Sequence, residues 1–302
     1  DITVLSNAAA RLGETVNITG GSITSDNGIR LESGDQITGY GVLYGVIVDN
    51  GGSLLGGGGI AALPNNNIGA QAVTVLSSAA LQVNGTVSIA GGTLTAPTGV
   101  SLDGADQIAG HGTIDGPILA GGSTRIQASG GNLVLGDASH FGGFRTDGMI
   151  VVSSNAITLE TRGFASLGFL TTIDGGTLGA SNGLVLGNGQ AIDGYGVVEG
   201  KFSGDFGSTV NASGGNLEIG TSASPAGFYS DGELYTGTNT VTILDENEAV
   251  LGSLTDLGTD TADGGLVAAN GFLLEQGKSV IGRGTISGDF ENEGLVQGDS
   301  TD

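Results

Sequence analysis

The sequence predicts an all-β solenoid, and three observations carry the prediction: a glycine motif repeated four times, apolar residues that keep one position in every copy, and a composition made for tight turns. The Gly-x-Gly-x-x-x-Gly runs begin at Gly39, Gly110, Gly194 and Gly282, and a Gly-Gly pair precedes each by 18 or 19 residues, at Gly20, Gly91, Gly175 and Gly264. The four copies span about 20–45, 91–116, 175–200 and 264–288 of one repetitive domain that covers residues 1–302.

Each copy reads as a succession of short strands and turns. Eleven residues before the motif stands a glycine (Gly28, Gly99, Gly183, Gly271), and three of these follow Asn. Asn-Gly marks a positive-φ turn, because both residues tolerate left-handed backbone. Next come Ile29, Val100, Leu184 and Phe272, and two residues later Leu31, Leu102, Leu186 and Leu274. That alternation is what a strand with one buried face requires. A second turn follows at Gly34, Ala105, Gly189 and Gly277, then apolar positions at Ile37, Ile108, Ile192 and Val280 and, past the motif, at Leu43, Ile114, Val198 and Ile286. The motif glycines Gly39, Gly41, Gly110, Gly112, Gly194, Gly196, Gly282 and Gly284 are expected to be corners where a side chain would strike the next rung. Strands and turns at this spacing suit a β-solenoid or a β-sandwich, and the fixed-offset repetition selects the solenoid.

A longer repeat overlies the first. The segment ASGGN recurs at 128–132 and 212–216, and the same offset of 84 relates Phe144 to Phe228, Asp147-Gly148 to Asp231-Gly232, and Leu167-Gly168 to Leu251-Gly252. Motif intervals of 71, 84 and 88 residues therefore contain several rungs each. At ~20 residues per rung the chain would make ~15 rungs.

The 61 glycines lack a collagen triplet, and the 38% hydrophobic content without Trp calls for a core of small aliphatic layers. The net charge of −23 makes nucleic acid and anionic membrane surfaces poor partners. With no Cys there are no disulfides and no thiolate metal site. No stretch has the ~20 apolar residues of a spanning helix, so membrane insertion by this chain is not expected. The start at Asp1 rather than Met fits a mature exported protein.

The strings GGTLTAPTGVSLDGADQIAGHGTIDGPI and GDFENEGLVQGD resemble the Gly-rich passenger repeats of bacterial autotransporter, adhesin and PEP-CTERM-type exported proteins. The resemblance runs from about Ile18 to Gly298 and implies a right-handed parallel β-helix and an extracellular or cell-surface location.

Candidate chemistry is sparse. None of the motif copies has the dinucleotide G-x-G-x-x-G spacing with a following amphipathic helix, and there is no phosphate-binding Lys-Ser/Thr pair. Tyr40, His111, Tyr195 and Arg283 fill the motif's central position and either form an exposed stripe for sugar contact or cover the rung edge. His111 and His140 are the only histidines, and no carboxylate spacing supports a metal site between them. Asp245, Glu246 and Glu248, with Asp256, Asp260 and Asp263, are the carboxylates grouped closely enough to suit Ca²⁺, although no EF-hand or nonapeptide calcium repeat is present. No other cofactor is expected.

The expected function is structural: an extracellular filament or matrix subunit, or a surface-adhesin stalk. It would associate end to end through Asp1–Leu5 and Gly294–Gly298 or meet a host or matrix surface. A carbohydrate- or receptor-binding adhesin is the alternative, favoured by an exposed aromatic row across rungs. A polysaccharide-degrading β-helix enzyme is a third reading, and the scarcity of basic residues, with Lys201 and Lys278 the only lysines, argues against lyase chemistry.

Overall fold

A computed structural model describes the chain except residues 33, 46, 51–52, 57–64, 69–71, 77, 84, 221–226 and 300–302. The turns that the sequence marks with glycine are formed as backbone hydrogen bonds. Gly28, Gly99, Gly183 and Gly271, all at φ between +90° and +104°, donate their N–H groups to the carbonyls of Ser25, Ala96, Ala180 and Ala268. A short strand follows each: Ile29–Glu32, Val100–Leu102, Leu184–Leu186 or Phe272–Leu274. A second turn then leads, in the first three copies, into a long strand that carries the motif, and in the fourth into the pair Ser279–Gly282 and Gly284–Ser287.

The strands pair in parallel with the equivalent strand of the next rung, and among the described residues no helix occurs. This is a β-solenoid of about 12 turns. The turns are fewer than the ~15 expected at ~20 residues each, because several rungs are longer. Thr209 pairs with Glu233, 24 residues on, and Leu254 with Ser279, 25 residues on, whereas Gln107 reaches Arg125 after only 18.

The chain divides into two compact units. The first comprises Asp1–Gly148 with Glu160–Arg162. In it Thr86–Thr95 pairs with Gln107–Asp115, and that strand with Arg125–Asp137, while the short strands Leu81–Gln82, Val100–Leu102, Ile118–Ala120 and Phe144–Thr146 stack in their own ladder. The second comprises Met149–Leu159 and Gly163–Asp302. There Leu170–Ala180, Ala191–Glu199 and Thr209–Ile219 pair in sequence, and later rungs split the long strand into two, as in Glu233–Gly237 with Thr240–Ile243.

Inside each unit the expected ladders are the core. Ile108, Ile114, Leu102 and Val100 in the first unit, and Ile192, Val198, Leu186 and Leu184 in the second, are at most 1% exposed. Of the aligned apolar positions only Ile286 is half-buried rather than buried. Burying a Leu or Ile side chain contributes about 1.5–3 kcal/mol, and an inward residue finds cover only on the rungs above and below. In the second unit Phe202 and Phe228 stack with ring centroids 5.2 Å apart, and Phe272 meets Phe290 edge-on at 6.5 Å.

In the first three copies the motif glycines lie inside the long strands, not in loops between strands, whereas in the fourth Gly282 ends Ser279–Gly282 and Gly284 begins Gly284–Ser287. In Thr86–Thr95 the buried positions are Val87 and Ile89 and then Gly92 and Leu94, so the inward alternation slips by one at the Gly-Gly pair. The pairing with Gln107–Asp115 shifts register at the same place, between Ala90 and Thr93. An extra residue in one strand bends it, and the glycines are the bend. Gly110, Gly112, Gly194, Gly196 and Gly282 have φ between +103° and +132°. A Cβ on Gly112 or Gly196 would stand 2.4 Å from the carbonyl oxygen of Gly92 or Gly176 in the preceding rung, and on Gly41 or Gly284 it would meet the carbonyls of Gly21 or Gly264. The surroundings of Gly39 and Tyr40 lie outside the described residues.

Candidate functional site: the glycine bend and the second turn

The Gly-Gly pairs and the Gly-x-Gly motif belong to one construction. His111 lies between Gly91 of the preceding rung and Gly130-Gly131 of the following one, with its nearest ring atoms 3.2–3.5 Å from where a Cβ on Gly91, Gly130 or Gly131 would begin. Tyr195 repeats this between Gly175 and Gly214-Gly215 at 3.0–3.3 Å. The repeated ASGGN segment, at 128–132 and 212–216, is therefore the far wall of the ring's seat in both copies. A ring laid over glycine covers backbone that has no side chain of its own, as aromatic rescue does in β-sheets. Of the two sequence readings for the central residue, covering the rung edge describes His111 and Tyr195. Arg283, the fourth central residue, instead makes an ion pair with Asp263 at 2.5 Å.

Electrostatics around the bend follow from these contacts. A hydrogen bond to Asp174 and that carboxylate's charge push the Tyr195 phenol up. Two rungs on, Tyr235 donates its hydroxyl to Glu233 at 2.8 Å, which with partial burial pushes its phenol up to about 12. Asp193 accepts from Asn211 Nδ2 at 2.6 Å and Ser213 Oγ at 3.0 Å.

The second turn carries a residue that sequence reasoning missed. Four residues before the first motif glycine stand Asp35, Asp106, Gln190 and Lys278. Asp35, Asp106 and Gln190 fold back onto the backbone N–H three residues earlier, of Glu32, Asp103 and Gly187, at 3.0, 2.9 and 2.6 Å. Asp106 also accepts from Gly85 N of the preceding rung at 2.7 Å, and Asp35 takes Arg11 through two bonds of 2.8 Å. The Arg11 bond, followed by that to Glu32, holds the Asp35 carboxyl at about 2. The available signal was the shared offset, obscured because four chemically different residues occupy it.

Lys278 performs the linkage differently. Its ammonium binds Asp231 and Glu275, each at 2.9 Å, and stands 5.5 Å from the Tyr229 ring. Burial lowers its pKa, but the bonds to the two carboxylates outweigh burial and the net shift is upward. The hydrogen bond from Lys278, then that from Tyr229, lowers Asp231. Ser253 lies on the rung between, its N–H on the Asp231 carbonyl and its own carbonyl accepting from Ser279 N. The lysine side chain therefore spans two rungs.

The calcium candidates have different surroundings. Asp245 is buried and accepts the backbone N–H groups of Phe228 and Asn247, so its oxygens cap a turn. Glu246 and Glu248 are both solvent-exposed. Asp263 is held by Arg283. Burial, then the charges of Asp299 and Asp260, raises the pKa of Asp256. Among the described residues no three His, Cys, Asp or Glu side chains come together in a group able to hold a metal ion.

The loop 137–143 contains Asp137, Ser139 and His140 in mutual contact, yet the arrangement is not a catalytic triad. Both Ser139 Oγ, at 3.1 Å, and Asp137 bond the same ring nitrogen, Nδ1 of His140. A proton relay needs the hydroxyl on one ring nitrogen and the carboxylate on the other. Asp137 also accepts the Ser139 N–H at 2.7 Å, so the cluster closes a turn.

No protein-family model matches the chain, and no curated protein or solved structure matches it either. No helix among the described residues is long and apolar enough to cross a membrane.

Proposed function

We propose that the chain is an extracellular structural β-solenoid of bacterial origin, a filament or matrix subunit or the stalk of a surface adhesin, which joins copies of itself end to end. The observation that carries this reading is how the recurrent polar positions are used. Asp106 ties the rung of Asp103 to that of Gly85, Lys278 ties its own rung to that of Asp231 two rungs earlier, and His111 and Tyr195 seal the glycine bends of the rungs on either side. Side chains that repeat with the motif serve cohesion between turns, which is the requirement of a load-carrying scaffold. The charge of −23 opposes lateral contact and directs association to the terminal strands. Ca²⁺ bound by acidic loops would relieve that repulsion, and the reading assigns the chain no catalysis.

Sedimentation and electron microscopy at high protein concentration, with Ca²⁺ and with a chelator, test the assembly. Linear oligomers are expected. A strictly monomeric species in every condition refutes the filament reading and leaves the stalk. Labelling of intact cells with an antibody to the chain tests the location.

A further inference from the structure

In the second unit, large aromatic side chains stand in solvent on neighbouring rungs beside one turn. Phe169 is 48% exposed, Phe206 71% and Tyr229 43%. Tyr229 is not a displaced core residue, because its strand neighbour Phe228 fills the interior against Phe202, and Phe169 and Phe206 stand in the turns that follow the short strands. Backbone hydrogen bonds fix their order. The Phe169 carbonyl accepts from Ala191 N at 3.1 Å, just after Asn188-Gly189. Gly189 N donates to the Gly207 carbonyl at 2.9 Å, next to Phe206, and Asp231 N donates to the Gly204 carbonyl at 2.7 Å. The sequence along the stack is thus Phe169, Asn188, Phe206 and Tyr229.

Phe169 and Phe206 are two rungs apart, or roughly 10 Å at ~4.8 Å per rung. The surface between them is low and polar. Asn188 is exposed, its amide lies beside Gly207, and a Cβ on Gly189 would meet nothing within 4 Å. Tyr229 is held in place by its hydrogen bond to Asp231, at 2.8 Å, and by the Lys278 ammonium near its ring.

We propose that this strip binds a neutral polysaccharide. Phenyl rings spaced by two rungs are placed to stack against the C–H faces of alternate hexoses in an extended chain, with the Asn188 amide between them to bond sugar hydroxyls. Rings fixed on a rigid ladder lose little freedom on binding. The negative charge of the chain rejects polyanions, so the partner class is uncharged glycans. An extended peptide would need an unpaired strand edge, and the backbone here is paired rung to rung. The inference is independent of the scaffold reading, because binding is measured on a monomer as readily as on an assembly.

The test is calorimetric titration of the whole chain with cellohexaose, chitohexaose and mannohexaose, and with polygalacturonate as the anionic control. Saturable binding of at least one neutral hexasaccharide is expected. Phe206→Ala should weaken it by about tenfold or more, and the Phe169→Ala/Phe206→Ala double variant should abolish it at an unchanged melting midpoint. Phe141→Ala, which removes an exposed ring of the first unit, should bind as the wild type does. The proposal is overturned by no binding of any neutral hexasaccharide up to about 10 mM, by wild-type affinity in the double variant, or by equal binding of polygalacturonate.

Discussion

Replacing Gly194 by Ala should destabilise the second unit far more than replacing Gly189 by Ala, and the difference measures how tightly the rungs close at the bend. Both glycines have positive φ, +132° and +75°, so both variants carry a left-handed backbone penalty of about 1–2 kcal/mol. At Gly189 that is the whole effect, because a new methyl would meet nothing within 4 Å. At Gly194 the methyl carbon would stand 1.9 Å from the Ile173 carbonyl oxygen, where real contacts begin beyond 3.0 Å. The rungs must open by more than an ångström, against pairing of Gly194 to Ile173 on one side and Ala212 on the other. Losing two ladder hydrogen bonds at about 1 kcal/mol each brings the total to about 3–4 kcal/mol. A kilocalorie corresponds to about 2–4 °C in a unit of this size. Thermal unfolding should therefore fall by a few degrees in Gly189→Ala and by about 6 °C or more in Gly194→Ala, with Gly194→Val worse again. Equal midpoints for the two alanine variants would refute the reasoning, since the clash would then have no energetic weight.

Two further outcomes follow from single side chains. Thr171 and Thr255, which are fully buried and 84 residues apart, each hold a hydroxyl with no hydrogen-bond partner. Thr171→Val and Thr255→Val should each stabilise by about 1 kcal/mol, and a lower melting midpoint in both would show that the hydroxyls are satisfied. Asp35, depressed to about 2 by Arg11, adds stability that is complete above the ordinary carboxylate pKa and is lost as pH falls through about 2. In Arg11→Met the Asp35 carboxyl should titrate at higher pH by NMR, and the variant should lose its acid stability earlier. An unmoved titration would remove the ion pair from the account.

What the sequence made legible and what it hid divide along one physical line. The ladders of Ile108, Ile192 and their equivalents were readable because an inward position must be apolar whatever lies next to it, so identity at a fixed offset suffices. The glycines were readable as places without room for a side chain. Their location inside a strand was not, since the obstructing atom, such as the carbonyl of Ile173 for Gly194, belongs to the rung 21 residues earlier. The same distance hid the seats of His111 and Tyr195, whose walls come from the rung before and the rung after. Asp35, Asp106, Gln190 and Lys278 were hidden by their chemical diversity, because a turn cap requires an acceptor or a charge partner and not one residue type. Phe169 and Phe206 were hidden by loop length: Leu167–Phe169 links its strands in three residues, whereas Asp205–Ser208 does so in four, so the two rings share no sequence offset with the motif. A solenoid core repeats because every rung solves the same burial problem. Its surface need not repeat, and the exposed aromatic strip departs from the repeat in a place where burial gives no reason for it. That departure makes the strip, more than the regular glycine bends, the place at which to test for ligand binding.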